Sequence, residues 1–187
     1  MLNLKIIIAS TRPVRGGEAI AKWFFAFAQQ HGRFEVELVD LREINLPLLD
    51  EPRHPRMAKY EHDHTKRWSA LVQAGDAFVI VTPEYNFGPP PALINALDYV
   101  YREWNYKAVA FVSYGGISGG LRSVQMTKQI VTTLKMVPIV EAVAVPFYSN
   151  HIGEDGVFKN TTAHDDAARA MLDELHRWSE ALKVLRP

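Results

Sequence analysis

The chain has 187 residues, 48% of them hydrophobic and 22% charged, which is the make-up of a folded globular protein rather than a disordered one. Its 21 Lys+Arg balance 21 Asp+Glu, so no large positive field exists to hold nucleic acid or an anionic membrane. Cysteine is absent, which excludes disulfides, Cys-ligated zinc, iron–sulfur clusters and thiol catalysis, and leaves redox chemistry to an organic cofactor or to a metal held by His and carboxylates.

Leu4 to Ala9 is an almost unbroken apolar run, as expected of a strand covered on both faces. After a turn over residues 10–17, Ile20, Trp23, Phe24 and Phe27 recur on one helical face, and Gly32 ends that helix. Phe34 to Leu41 alternates and predicts a second, more exposed strand. A polar stretch containing Pro47, Pro52 and Pro55 reads as a long loop. A helix is expected from His62 to Ala74, with Trp68, Leu71 and Val72 inward. Asp76 to Val81 is a third apolar strand, and a helix starting at Pro91 carries Leu93, Ile94, Leu97 and Val100. Lys107 to Ser113 and Pro138 to Val145 predict two more strands, with a helix over residues 121–135 between them. After a polar loop at 151–160, a closing helix over 163–185 is expected to bury Ala168, Met171, Leu172, Leu175, Trp178, Leu182 and Leu185. Trp23 also reads as core. Strands alternating with helices predict one domain over 1–187: a doubly wound α/β fold whose five-stranded parallel sheet has the order 2-1-3-4-5, with helices on both faces.

Ligands of such sheets bind outside the carboxyl ends of the strands, where strand order reverses. Three loops of unusual composition fall there. The first, Ser10-Thr11-Arg12-Pro13-Val14-Arg15-Gly16-Gly17, offers hydroxyls, two arginines and a helix N-terminus, which suit a phosphate, although an ordinary helix start would read the same way. It matches neither the nucleoside-triphosphate P-loop nor the G-x-G-x-x-G dinucleotide pattern. The second, Thr82 to Pro91, is stiffened by proline and carries Tyr85 and Phe87; it could hold a flat ring or merely connect two elements rigidly. The third, Ser113 to Gly120, is glycine-rich and allows close approach to its backbone. A phosphate clamp beside a flat, partly aromatic slot has the shape of a mononucleotide such as FMN.

Ala-Ser-Thr-Arg-Pro-x-Arg at 9–15, Pro-Glu-Tyr-Asn at 83–86 leading into Pro-Ala-Leu-Ile-Asn-Ala-Leu-Asp-Tyr at 91–99, and Val-Ser-Tyr-Gly-Gly-Ile-Ser-Gly-Gly at 112–120 together resemble the NAD(P)H-dependent FMN reductase family. That group includes quinone, azo-dye and chromate reductases, and the resemblance runs from Leu4 to about Val145. It implies that Ser10, Arg12, Arg15 and Gly17 surround the FMN phosphate, with Glu18 following at the helix start. It implies that Pro83, Glu84, Tyr85 and Asn86 lie along the isoalloxazine and ribityl chain, and that Ser113, Gly115 and Gly116 close over the ring. NADPH or NADH would then supply hydride to FMN, which passes it to a small acceptor: a quinone, an azo compound, a metal oxyanion or free flavin for a monooxygenase. A homodimer or homotetramer is implied as well, with no catalytic side chain. The chain departs from the family at Ala9 and Gly17, where a glycine and a hydroxyl are usual, and at Gly88-Pro89-Pro90-Pro91 and Ile94.

A flavodoxin-type electron carrier is the competing reading, but such carriers are typically acidic and this chain is neutral. His54, His62 and His64 have a ligand-like composition, yet an i, i+2 pair on a helix faces two ways, so a solvated helix start is expected. His151, His164 and His176 read as surface residues, and Trp104 as a residue that could border an oligomer interface. No run approaches the ~20 apolar residues needed to cross a bilayer, and Ile6 to Ile8 is too short for a signal-peptide core, so a cytoplasmic location is expected.

Overall fold

The computed structural model describes residues 1–186. Strands β1 (Leu2–Ile8), β2 (Phe34–Asp40), β3 (Ala77–Pro83), β4 (Ala108–Tyr114) and β5 (Val137–Val145) form one parallel sheet in the order β2-β1-β3-β4-β5. This is the predicted class and strand order. The helices are α1 (Gly17–His31), α2 (Leu41–Ile44), α3 (Asp63–Ala74), α4 (Pro91–Asp98), α5 (Leu121–Thr133) and α6 (Thr162–Leu182).

The pleat divides the strands' side chains between two cores. Leu4, Ile6 and Ile8 of β1, with Val79 and Val81 of β3, meet Ile20 and Phe24 of α1 and Met171, Leu172 and Leu175 of α6. Ile7, Phe78, Ile80 and Phe111 point the other way, onto Trp68, Leu93, Leu97 and Val131. Every side chain of β3 and β4 is buried, which is why both strands read as continuous apolar runs. Because α1 covers one face and α4 the other, the connections leaving β1 and β3 diverge, and a crevice opens between them. Gly32 ends α1 in the left-handed conformation, at φ 78°.

Several expectations are corrected. Trp178 is 41% exposed, because Ser179 takes the inward place on α6 between Leu175 and Leu182. Leu185 is also exposed: α6 stops at Leu182 and a tighter 3-10 turn rotates it outward. Trp104 is wholly buried within the chain, donating its indole N–H to the Leu97 carbonyl at 3.2 Å and packing edge-on against Trp68 and Phe78, so it reads as core. His164 is buried rather than on the surface, where it forms a reciprocal cap with Thr161 at the start of α6. The 151–160 loop is likewise anchored, by a bridge between Ile152 and Phe158 and by Phe158 against Trp23.

Lys107 is 3% exposed and donates to the Val72 and Gln73 carbonyls at 2.8 and 3.0 Å, at the carboxyl end of α3. Burial, helped by the Arg186 charge, pulls its amine down from 10.5 to about 7. From about pH 7 to about pH 10.5 the unfolded chain therefore holds a proton that the folded chain has released, and stability should rise with pH across that window. Denaturant titrations should show this rise in the wild type and its loss in Lys107→Met. Parallel curves for the two proteins would contradict the assignment.

Candidate functional site

A cleft of about 170 Å³ at the carboxyl ends of β1, β3 and β4 is lined from all three loops. Ser10, Arg12 and Arg15 come from the first, Pro83, Glu84 and Tyr85 from the second, and Gly115 and Gly116 from the third. Tyr114 and Tyr148 close it from the side of α1.

Each loop has its own fastening. Ala9 N–H bonds the Val81 carbonyl at 3.0 Å, which carries β1 pairing up to the edge of the cleft. Ser10 is 1% exposed, and its Oγ lies 2.7 Å from the Tyr85 hydroxyl, tying the first loop to the second. The N-cap of α1 is Gly16, and no side chain bonds the free N–H groups of the first turn. Arg12 is exposed and has no carboxylate partner among the described residues, so its guanidinium is free for an anion.

Arg15 is differently placed. Its guanidinium forms a two-point pair with Asp40 at the end of β2, with Nη1 2.8 Å from Oδ1, and also donates to the Ser10 carbonyl. The side chain is only 4% exposed; burial opposes its charge, but Asp40 and Glu18 hold the guanidinium firmly protonated. Arg15 thus shapes the loop from beneath and lends it little free charge. Glu18 bonds Lys22 at 2.7 Å, and that bond leads in lowering its carboxyl pKa. Gly17, Glu18, Asn86 and Ser113 do not line the cleft. Ser113 is buried below it, with a hydroxyl that has no partner.

In the second loop Tyr85 and Gly88 exchange two backbone hydrogen bonds of 2.9 Å around Asn86 and Phe87, whose φ values are 50° and 70°. This is the geometry of a two-residue hairpin turn, tolerated by asparagine but unusual for phenylalanine. Arg122 sits 4.2 Å above the Phe87 ring and braces it. Glu84 links the second loop to the third: it accepts from Ser118 Oγ at 2.7 Å, from Arg122 N–H at 3.1 Å and from the Arg122 guanidinium at 2.7 Å. Burial works against its ionised form, but these donors outweigh it and hold the carboxyl below its ordinary value. With its side chain 8% exposed, Glu84→Gln should lower stability by about 2 kcal/mol, readable as a fall in the denaturant midpoint. A midpoint unchanged by the substitution would show that the clasp contributes nothing.

A larger cleft of about 450 Å³ lies toward β2, lined by Thr11, Leu41, Arg42, Asn45 and Asn95 among others. The Asn95 amide is already committed to Leu49 N–H and the Pro47 carbonyl, which leaves few free groups to orient a ligand. His62 and His64 stack at 5.2 Å and are held by Asp50 at the start of α3. Among the described residues no helix is long and apolar enough to cross a membrane.

Asp40, Tyr148 and Arg122 were not legible as site residues. Asp40 and Arg122 act through partners 25 and 38 positions away, and Tyr148 meets the first loop only through the fold. Tyr114 stood within the third loop, where its position as the last residue of an apolar strand was the available signal.

Strand order and crevice together define a flavodoxin-like α/β protein. A family model described as NADPH-dependent FMN reductase matches residues 2–150. An NAD(P)H-dependent FMN reductase of Schizosaccharomyces pombe is 40% identical over 148 residues, covering 77% of this chain and 74% of that protein. One of Nectria sp. is 31% identical over 153 residues, covering 79% and 76%. Among solved structures, the flavoenzyme NAD(P)H:(acceptor) oxidoreductase FerB from Paracoccus denitrificans shares the fold, with a TM-score of 0.77 at 20% identity over 97% of this chain and 98% of that one. The chain belongs to the NADPH-dependent FMN reductase family. It is accordingly an oxidoreductase with FMN as its flavin and NAD(P)H as its electron donor.

Proposed function

We propose that the three-loop cleft is the FMN site and that electrons leave it for a small, flat, largely apolar acceptor of the quinone or azo class. The observation that carries this reading is the meeting of three sequence-distant loops around one cleft that has an uncapped helix N-terminus and an unpaired arginine at one end. Ser10, Arg12 and the first N–H groups of α1 hold the phosphate, as dipole and charge favour. Pro83, Glu84, Tyr85 and Asn86 give the ring and ribityl chain a fixed ledge, and Gly115 and Gly116 let the ring approach the backbone, with Ser113 supporting them from below. The side chains of Arg15 and Glu18 shape this clamp rather than touch the phosphate, and Gly17 offers it only a backbone N–H. Bound there, FMN supplies the hydride chemistry, which no side chain of the cleft needs to perform.

The acceptor class is supported by the rim: Phe87, Ile117, Leu121 and Met126 are all exposed apolar residues on the second loop, the third loop and α5. The same rim suits contact between two copies, in keeping with a homodimer or homotetramer. Purified protein supplied with FMN should retain a flavin spectrum and oxidise NADPH or NADH faster when a benzoquinone or an azo dye is added. Retained flavin with no acceptor-dependent oxidation would favour an electron carrier. A protein that binds no flavin would overturn the whole assignment.

A further inference from the structure

Tyr114 ends β4 opposite Pro83 and Val145 and is 3% exposed. Its ring meets Tyr148 edge-on at 5.1 Å. Both tyrosines press on the start of α1, where the chain has no side chains to receive them. A Cβ on Gly17 would overlap the Tyr114 hydroxyl and lie 2.7 Å from its Cζ, and one on Gly16 would lie 2.7 Å from Tyr148 Cδ2. The Tyr114 hydroxyl therefore fills the space that a side chain at position 17 would need. Residue 17 is the first of a 15-residue helix whose opening turn has no side-chain cap.

The surrounding chemistry points to an acceptor from outside the chain. Ser10 Oγ is 2.7 Å from the Tyr85 hydroxyl, and Tyr114 lines the same cleft. The Ser10 and Tyr85 hydroxyls carry two protons for the one bond between them, so one donor is left over before Tyr114 is counted. Nearby, the buried Arg15 Nε also lacks a partner. Burial, then the neighbouring Tyr85, raises the Tyr114 hydroxyl far above its ordinary value, so it stays a neutral O–H donor. The one anion that the site would place at this helix start is the FMN phosphate.

We infer that the Tyr114 hydroxyl donates a hydrogen bond to the FMN phosphate, supplying from β4 the side-chain donor that Gly17 cannot supply from α1. This rests on the FMN-site reading above. Gly17 and Tyr114 then form a steric pair, in which the absent side chain of one makes room for the oxygen of the other.

Titrating FMN and riboflavin separately into the apoprotein tests it, since riboflavin lacks only the phosphate. Tyr114→Phe keeps the ring and its packing. It should weaken FMN binding by about tenfold while leaving riboflavin nearly unchanged, so the preference for FMN falls by that factor. Gly17→Ala, which pushes the hydroxyl aside without removing it, should lower the same preference and gives a second, independent variant. Equal losses for both ligands in Tyr114→Phe, or no loss for either, would overturn the inference and leave the FMN site standing. A wild-type protein that binds riboflavin as tightly as FMN would overturn the phosphate clamp itself, and this inference with it.

Discussion

Arg12→Ala should weaken FMN binding by about 1.5–3 kcal/mol, which is roughly ten- to a hundredfold or more in dissociation constant. The expectation follows from the contrast between the two arginines of the first loop. Arg15 is buried and paired with Asp40, whereas Arg12 is exposed with its charge uncompensated. A charge-assisted bond to a phosphate is among the stronger hydrogen bonds, and the positive end of α1 adds to it. Riboflavin affinity should be almost unchanged in the same variant, because the lost contact is to the phosphate alone. Arg12→Lys should recover part of the loss, restoring charge but not the two-point guanidinium geometry. Fluorescence titration with both flavins measures all of this. FMN affinity that survives Arg12→Ala would remove Arg12 from the clamp.

Asp40→Ala should destabilise the fold by about 3 kcal/mol, near the lower end of the cost of leaving one member of a buried ion pair alone. The Asp40 side chain is 18% exposed and that of Arg15 4%, and Asp40 also accepts from Arg42 N–H at 2.9 Å to start α2. Glu18, 3.6 Å from the Arg15 guanidinium, compensates in part, which keeps the figure from being higher. Since Arg15 bonds the Ser10 carbonyl, the first loop should loosen too, and FMN affinity should fall with stability. Arg15→Met in the Asp40→Ala background should regain part of the stability by removing the stranded charge. Denaturant unfolding of the single and double variants gives the coupling between the two positions. A change below about 1 kcal/mol in the single variant would mean that the pair is not an anchor.

The sheet was legible because its central strands are covered on both faces. Ile6-Ile7-Ile8 and Phe78-Val79-Ile80-Val81 read as strands for the same reason that they are buried. Element ends were less so: β3 continues through Thr82 and Pro83, since proline needs no ladder donor at a strand's last position. Trp178 misled because its spacing fits the apolar stripe of α6, while a small Ser179 is what packs closely against the sheet. The three loops stood out by composition, but what each residue does in them did not. Arg12 and Arg15 look equivalent in the sequence, and only the return of β2 beside β1, which brings Asp40 under the loop, separates them. Glu84 stood out as a residue of the second loop, but its clasp on Ser118 and Arg122 did not, because those partners come from the loop and helix that follow β4. Side chains that meet across strands leave no local signature.

A crystal structure of the protein with FMN added decides between the two clefts. The phosphate is expected at the start of α1 within hydrogen-bonding reach of Arg12, with the ring lying between the 83–86 ledge and Gly115-Gly116. Flavin seated instead in the larger cleft beside Thr11, Arg42 and Asn95, with the three-loop crevice filled by its own side chains, would contradict that placement.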